Sequence, residues 1–346
     1  MTIADVAALA GVSVAAVSKV VNNRTGISEA TARRVRDAAA QLRWAPSSAA
    51  VALRGARSRT VGLVAARDPD LLLADPHFTV LVSGIEAELA PRGYGLLLHL
   101  VSESGERPEA AEDEEQVYRR LGQQRRVDGV LLTESRVEDP RPRLLRELGV
   151  PAVMIGRPWG DDPVVQVSGR DEFAGVREAA VHLLRLGHRR IAYVHGPQDR
   201  VHTRLRLAAF AEALAAAGGG SPTVVGTSGF GGDSGARAAT ELLSQPPGRR
   251  PTALVLANDS MAVAAMSAAA RLGLRVPDDV SVVGHDDLPL AQWVHPRLTT
   301  VSQDLAGLGR AGARRLLHLL GEPDPDLPQV QGTRLVVRES SGPASA

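Results

Sequence analysis

The sequence predicts an α/β protein made of a small helical head and a larger body of two parallel-sheet units. Three observations predict it. Residues 2–23, TIADVAALAGVSVAAVSKVVNN, hold two short runs of helix-spaced apolar residues separated by Gly11. From Thr60 onward, apolar strand-like runs alternate with amphipathic helices, and the alternation repeats from about residue 171. Charge is divided unevenly. Residues 1–60 carry nine Lys or Arg and three Asp or Glu, whereas the whole 346-residue chain carries 40 and 39.

The head starts with Ile3, Val6, Ala7 and Ala10 on one helical face. Thr2 is placed to cap the first turn, with Asp5 where the helix dipole favours an anion. Gly11 suits the left-handed residue that ends a helix. Ser13 restarts the pattern as an N-cap, and Val14, Val17, Val20 and Val21 form the second apolar face. Two short helices joined by a glycine-containing turn make a helix-turn-helix. In such a unit the second helix enters the major groove of DNA, and the basic head supplies the phosphate attraction. Ser28 caps a third helix running to about Leu42, with Val35, Ala38, Ala39 and Leu42 inward and Arg33, Arg34 and Arg36 outward. Trp44 closes this small core, giving a head over 1–46.

Residues 47–55, SSAAVALRG, suit one helix too short to stand alone in water. With the basic stretch to Arg59 they form a hinge and linker over 47–59. The body follows over 60–340: TVGLVAA, GYGLLLHLVS, VDGVLLTES and VPAVMIGRP are the strands of the first unit. The second unit is built on RRIAYVHGP, SPTVVGTSGF, PTALVLAND and VPDDVSVVGHDD. Ligands of such sheets bind at the carboxyl ends of the strands, so Asn258, Asp259, Asp286 and Asp287 mark a candidate site. Residues 341–346 are expected to be a disordered tail.

Composition narrows the function classes. There is no Cys, hence no disulfide, thiolate nucleophile or Cys-ligated metal. No signal segment opens the chain and no apolar run approaches membrane-spanning length, so a cytoplasmic protein without membrane contact is expected. His182, His188 and His195 lack metal-ligand spacing, and no G-x-S-x-G motif is present. No cofactor, metal or catalysis is expected.

Seven stretches, in order, then resemble the lactose/galactose repressor family of bacterial transcription regulators. They are TIADVAALAGVS…VSKVVNN, the AP…A…LR segment at 45–54, HLLRLGHRRIAYVHGP, RLRLAAFAEAL, ANDSMAVAAM, VPDDVSVVGHDD and LTTVSQD. The resemblance implies a periplasmic-binding-protein-like body of two discontinuous lobes. Lobe one is expected at about 60–185 and 304–330, and lobe two at about 186–303 and 331–340. It also implies a homodimer on a near-palindromic operator, controlled by a small molecule, expected to be a carbohydrate, between the lobes. Whether that effector is an inducer or a corepressor stays open. No leucine heptads follow the last strand, so a dimer is the expected assembly.

By the same resemblance, the base-reading positions fall on Val14, Ala15 and Lys19. Two are apolar, suited to thymine methyl groups, and Lys19 can donate to guanine. Most family members carry Arg at that third position, and Lys makes no bidentate fork. Ser13, Ser18, Asn22 and Arg54 complete the DNA-facing set, with Ser13 and Ser18 as hydroxyl donors to phosphate. Leu53 matches the minor-groove wedge that kinks the duplex. The hinge departs from the family pattern at Ser47 and Val51. The effector positions fall on Phe78, Arg206, Phe230, Asn258, Asp286 and Gln303. An Arg fork and a carboxylate can grip adjacent hydroxyls, and an aromatic ring can stack on the apolar face of a sugar. A solvated helix face for Arg206 and a loop cap for Asp286 are the plain alternatives. In lobe one, the usual Asn-Pro-Phe-Phe stretch reads Asp75, Pro76, His77, Phe78, and the usual Asp before Arg157 is Gly156; both departures imply a pocket chemistry of its own.

A solute-binding protein of a transport system is the competing reading; the basic head and the lack of a signal segment weigh against it. Substituting Leu53→Ala is expected to weaken specific operator binding while effector binding persists, as read by paired DNA and ligand titrations. Unchanged operator affinity would remove Leu53 from the interface.

Overall fold

The computed structural model describes residues 1–21, 25–44, 57–66, 76–101, 113–161, 164–323 and 328–345. Residues 1–58 and 59–346 form separate compact units. Asn22, Leu53 and Arg54, with most of the 47–59 hinge, lie outside the described residues.

The head comprises α1 (Ile3–Ala10), α2 (Val14–Val21) and α3 (Glu29–Gln41). Thr2 and Asp5 form a reciprocal capping box at α1, and Gly11 ends it at φ 63°. The Ser13 hydroxyl accepts from the Ala16 N–H at 3.2 Å, and Ser28 caps α3. The axes of α1 and α2 meet at 104°, within the helix-turn-helix range. Val6, Ala7, Ala10, Val17, Val35 and Ala38 form the core, with Trp44 packed against it. Each buried valine contributes about 1.5–3 kcal/mol. Val14 departs from the periodicity. It is 43% exposed, because the inward face of α2 runs through Val17, Val20 and Val21.

In the body, β1 (Thr60–Ala66), β2 (Gly95–Val101), β3 (Gly129–Leu132), β4 (Ala152–Ile155) and β5 (Val165–Val167) form a parallel sheet in the order β2-β1-β3-β4-β5. Helices α4 (Pro76–Leu89), α5 (Glu114–Gln123) and α6 (Arg141–Glu147) cover it. The second sheet has the order β11-β10-β9-β8-β6-β7. Its strands are β6 (Ile191–His195), β7 (Thr223–Gly226), β8 (Ala253–Leu256), β9 (Ser281–Asp286), β10 (Thr299–Ser302) and β11 (Arg334–Val336), which alone runs antiparallel. It carries α7 (Ala174–Arg185), α8 (Val201–Ala216), α9 (Gly232–Leu243), α10 (Asp259–Arg271) and the short α11 (Leu290–Trp293).

The chain crosses between lobes three times: after β5, after β10, and again before β11. The second crossing returns α12 (Leu305–Leu319) to lobe one. There α12 meets α4 backbone to backbone. A Cβ on Gly84 would lie 2.2 Å from the Ala306 carbonyl oxygen, and one on Gly309 would lie 2.3 Å from that of Leu81. Only glycine permits that approach. Leu316, Leu317 and Leu320 thereby join Val61, Leu63 and Ile85 in one core.

Two expected boundaries move. Helix α7, expected in lobe one, belongs to lobe two. Val176, Ala179, Ala180 and Leu183 pack with Ile191, Tyr193 and Phe210, and Gly175 sits against Val301 and Arg334. The tail expected to be disordered is tied down through Ala344. The Ala344 N–H donates to Leu186 O at 2.8 Å, and Ser340 is fully buried, its hydroxyl donating to Val282 O at 2.6 Å. Polar pairing of these small residues replaces the apolar anchor a docked terminus usually needs.

His188 is the centre of that anchor. Its Nδ1 lies 2.9 Å from Thr252 Oγ1, and its Nε2 lies 3.1 Å from Ser281 Oγ and 3.0 Å from Gly342 O. A carbonyl only accepts, so Nε2 carries the proton of the neutral ring. Burial holds the imidazole below its ordinary value, against the opposing pull of the Gly342 carbonyl. The unfolded chain takes up a proton as pH falls through about 6.5, while the folded ring resists, so this contribution to stability is present above that range and lost below it. The stability advantage of wild type over His188→Asn is therefore expected to shrink between about pH 7.5 and 5.5 in urea unfolding. A constant advantage would mean the ring titrates alike in both states.

Candidate functional site

The outer surface of α2 presents the head's candidate contacts. Ser13, Val14, Ala15 and Lys19 are exposed, while Ser18 is half-buried. The four exposed residues lie on the surface of α2 that Val17 does not use. Arg33 and Arg34 are exposed on α3, and Arg36 is paired with Glu29 at 3.0 Å. An exposed pair of that kind contributes little, so Arg36 remains available to a phosphate.

In the body, one cavity lies between the lobes at the carboxyl ends of both sheets. All six expected effector residues line it: Phe78, Arg206, Phe230, Asn258, Asp286 and Gln303. The segments that follow β3, β4, β7, β8 and β10 each deliver a lining residue. Gly196, after β6, gives way to a ring: a Cβ there would lie 2.2 Å from the Phe230 side chain. Phe230 lies against His202, with centroids 5.5 Å apart and planes tilted by 31°.

Asp286 is set by an unusual corner. Its φ is 109° and that of Asp287 is 57°, both left-handed. Two neighbours hold the corner. Asp287 pairs with Arg338 at 2.5 Å, and the buried Asp259 accepts from the Leu288 N–H at 2.8 Å and the Thr300 hydroxyl at 2.5 Å. Burial pushes the Asp259 carboxyl up to about 7. Asp259 thus belongs to the scaffold, and Asp286 faces the cavity, where the Gln303 amide donates to it.

The six residues differ in how free they are. Arg206 lines the cavity half-buried, and no protein acceptor holds its guanidinium among the described residues. Asn258 is engaged twice, accepting from Met261 N–H at 2.8 Å and donating to Phe230 O at 2.9 Å. Phe78 is only 2% exposed and packs in the lobe-one core, so it offers a ligand little beyond an edge. Beneath the cavity, burial together with Arg206, His77 and His202 holds His285 well below the ordinary imidazole value, and the ring stays neutral.

Sequence reasoning did not assign His202, Glu134, Arg157 and Glu172 to the cavity, yet all line it. Arg157 donates to Glu172 at 2.7 Å and lies over the Phe173 ring at 5.5 Å. The signal for two of them was positional: Glu134 and Arg157 lie just past the ends of β3 and β4. No group of three His, Cys, Asp or Glu suited to a metal occurs among the described residues.

This architecture has clear relatives. Residues 2–47 match the family described as bacterial regulatory proteins, lacI family, and 180–341 match a periplasmic binding protein-like domain. The chain is 40% identical over 343 residues to the HTH-type transcriptional regulator CelR of Thermobifida fusca, covering 98% of both proteins. The chain belongs to the lacI family. It is a DNA-binding transcriptional regulator of the effector-responsive type. A structure of a transcriptional regulator CelR–cellobiose complex is 36% identical with a TM-score of 0.69, covering 98% of this chain and 99% of that one. The Lac repressor dimer bound to operator and the anti-inducer ONPF is 30% identical with a TM-score of 0.82, covering 99% of each. No single described helix is long and apolar enough to cross a membrane.

Within this lacI-family pocket, the free fork of Arg206 and the carboxylate of Asp286 are the strongest candidate contacts. Removing a charge-assisted hydrogen bond costs about 1.5–3 kcal/mol, or roughly 10- to 150-fold in Kd. Arg206→Ala and Asp286→Ala are expected to weaken effector binding by that factor in calorimetric titration. Phe78→Ala is expected to lower the melting temperature before it alters specificity. A normal effector Kd in Asp286→Ala would return that residue to the role of loop cap.

Proposed function

We propose that this protein is a repressor that binds a near-palindromic operator as a homodimer and is released by a β-linked glucose disaccharide of the cellobiose class. The observation that carries the reading is the inter-lobe cavity. It joins the Arg206 fork, which no acceptor among the described residues holds, and the Asp286–Gln303 pair to the Phe230 ring. A hydroxyl-rich pyranose with one apolar face suits that set. Sequence identity of 36% to a regulator solved with cellobiose supports this sugar class.

Ser13, Val14, Ala15, Ser18, Lys19, Asn22, Leu53 and Arg54 are the proposed DNA contacts. Phe78, Arg206, Phe230, Asn258, Asp286 and Gln303 are the proposed effector contacts. The head and hinge occupy 1–46 and 47–59. We read the pocket as binding rather than catalytic: Asp286 accepts from the Gln303 amide, as an orienting carboxylate would. We read the protein as cytoplasmic, because its proposed partner is operator DNA.

Operator sequences can be selected from a random duplex pool by the full-length protein, and the winners titrated in fluorescence anisotropy with and without sugar. Expected are an inverted-repeat consensus and release by millimolar cellobiose, with glucose and ribose without effect. Selection of no common sequence would overturn the operator reading. Release by ribose alone would overturn the disaccharide assignment and leave the regulator intact.

A further inference from the structure

Two backbone hydrogen bonds join the lobes in the wall of the cavity. The Val201 N–H, at the start of α8 in lobe two, donates to Ser135 O in lobe one at 3.0 Å. The Val137 N–H in lobe one donates to Asp199 O in lobe two at 2.8 Å. Arg136 and Arg200 form an antiparallel bridge between them. Ser135 and Val201 both line the cavity, so a ligand that shifts either wall acts on the bridge directly.

The lobe-one side of the bridge is a fixed abutment. Arg141 is 3% exposed and holds the loop from inside. Its Nη2 donates to Thr133 O and Glu134 O, each at 3.0 Å, and to Asp139 at 2.7 Å. Its Nε donates to Asp139 at 2.8 Å. Glu114 ties the same cluster to α5, accepting from Arg141 at 3.3 Å and from Arg136 at 2.6 Å. A buried guanidinium with both carbonyls and both carboxylates satisfied keeps one geometry. Glu134 at φ 52° and Glu138 at φ 55° show that this loop is held in conformations that its side chains disfavour.

We propose that the Ser135–Val137 and Asp199–Val201 bridge, anchored by Arg141, is the element that converts occupancy of the effector cavity into relative movement of the lobes. Arg141 is then a positioning residue, 3% exposed and outside the cavity lining, that acts through the Thr133–Glu134 carbonyls. The proposal rests on the effector reading above. A ligand shifts a two-state protein only by differential contact with the two states, and this bridge is a contact that the two lobes can make or break as the cavity fills.

Proline at 137 is the cleanest probe. It deletes the Val137 N–H, and the left-handed Glu138 that follows matches a turn in which proline is favoured at the preceding position. Val137→Ala keeps the N–H and is the control. The quantity to read is the ratio of operator affinity without and with cellobiose, in the full-length protein. Coupled sites commonly give ratios of about 5–150. Val137→Pro is expected to bring the ratio to within about threefold of one while cellobiose still binds in calorimetry, and Val137→Ala to keep the wild-type ratio. Arg141→Met, if it folds, is expected to match Val137→Pro. A wild-type ratio in Val137→Pro would overturn the proposal. A wild-type protein that does not respond to cellobiose would instead overturn the effector assignment, and the same ratio would then be read with the sugar that does release it.

Discussion

Lobe one has no complete core until α12 comes back to it. The strands of the first sheet leave Val61, Leu63 and Leu131 facing a gap that Ala313, Leu316 and Leu317 fill. The return is possible because α4 and α12 meet at Gly84 and Gly309, where any side chain would strike the opposing backbone. Arg314 of α12 adds a polar tie, donating to the buried Glu88 at 2.9 Å. This requirement dictates much else. The chain must leave lobe one, build the second sheet and cross back. The crossings therefore run beside the cavity, and Gln303 and Asp304 sit where β10 hands over to α12.

The cavity inherits its chemistry from those crossings. Asp286 ends the strand next to β10, and Gln303 follows β10, so the two meet across adjacent strands. The scaffold fixes the carboxylate through Asp259, Asp287 and Arg338 rather than through the cavity walls. Arg206 is positioned differently, by a helix whose first turn is bonded to the other lobe. The two strongest polar groups thus report on different parts of the frame. That arrangement suits a site meant to sense lobe position as well as ligand.

Much of this was legible in the sequence, for physical reasons. Thr2, Ser13 and Ser28 satisfy orphan N–H groups at helix starts, a local need that leaves a local signature. The polar residues closing β8 and β9 sit at strand ends because the strands themselves are fully buried. Other features depended on partners distant in sequence. The periodicity of α7 shows an apolar face without saying which sheet will cover it. Val14 shares the apolar character of Val17 and Val20 but points away from the core. Phe78 occupies an effector position by resemblance, yet the closeness of α4 and α12 draws it into the core. The three-residue β5 is too short to carry any alternation of its own.

The polar anchor around His188 has a consequence for biosynthesis. Ser281 and the carbonyl of Val282 find partners far along the chain, in Gly342 and Ser340. While those residues are still inside the ribosome, lobe two holds buried polar groups without their final partners, and such groups destabilise a compact state. Lobe two therefore completes its fold only once residues 340–342 have left the ribosome, even though most of its strands emerge early.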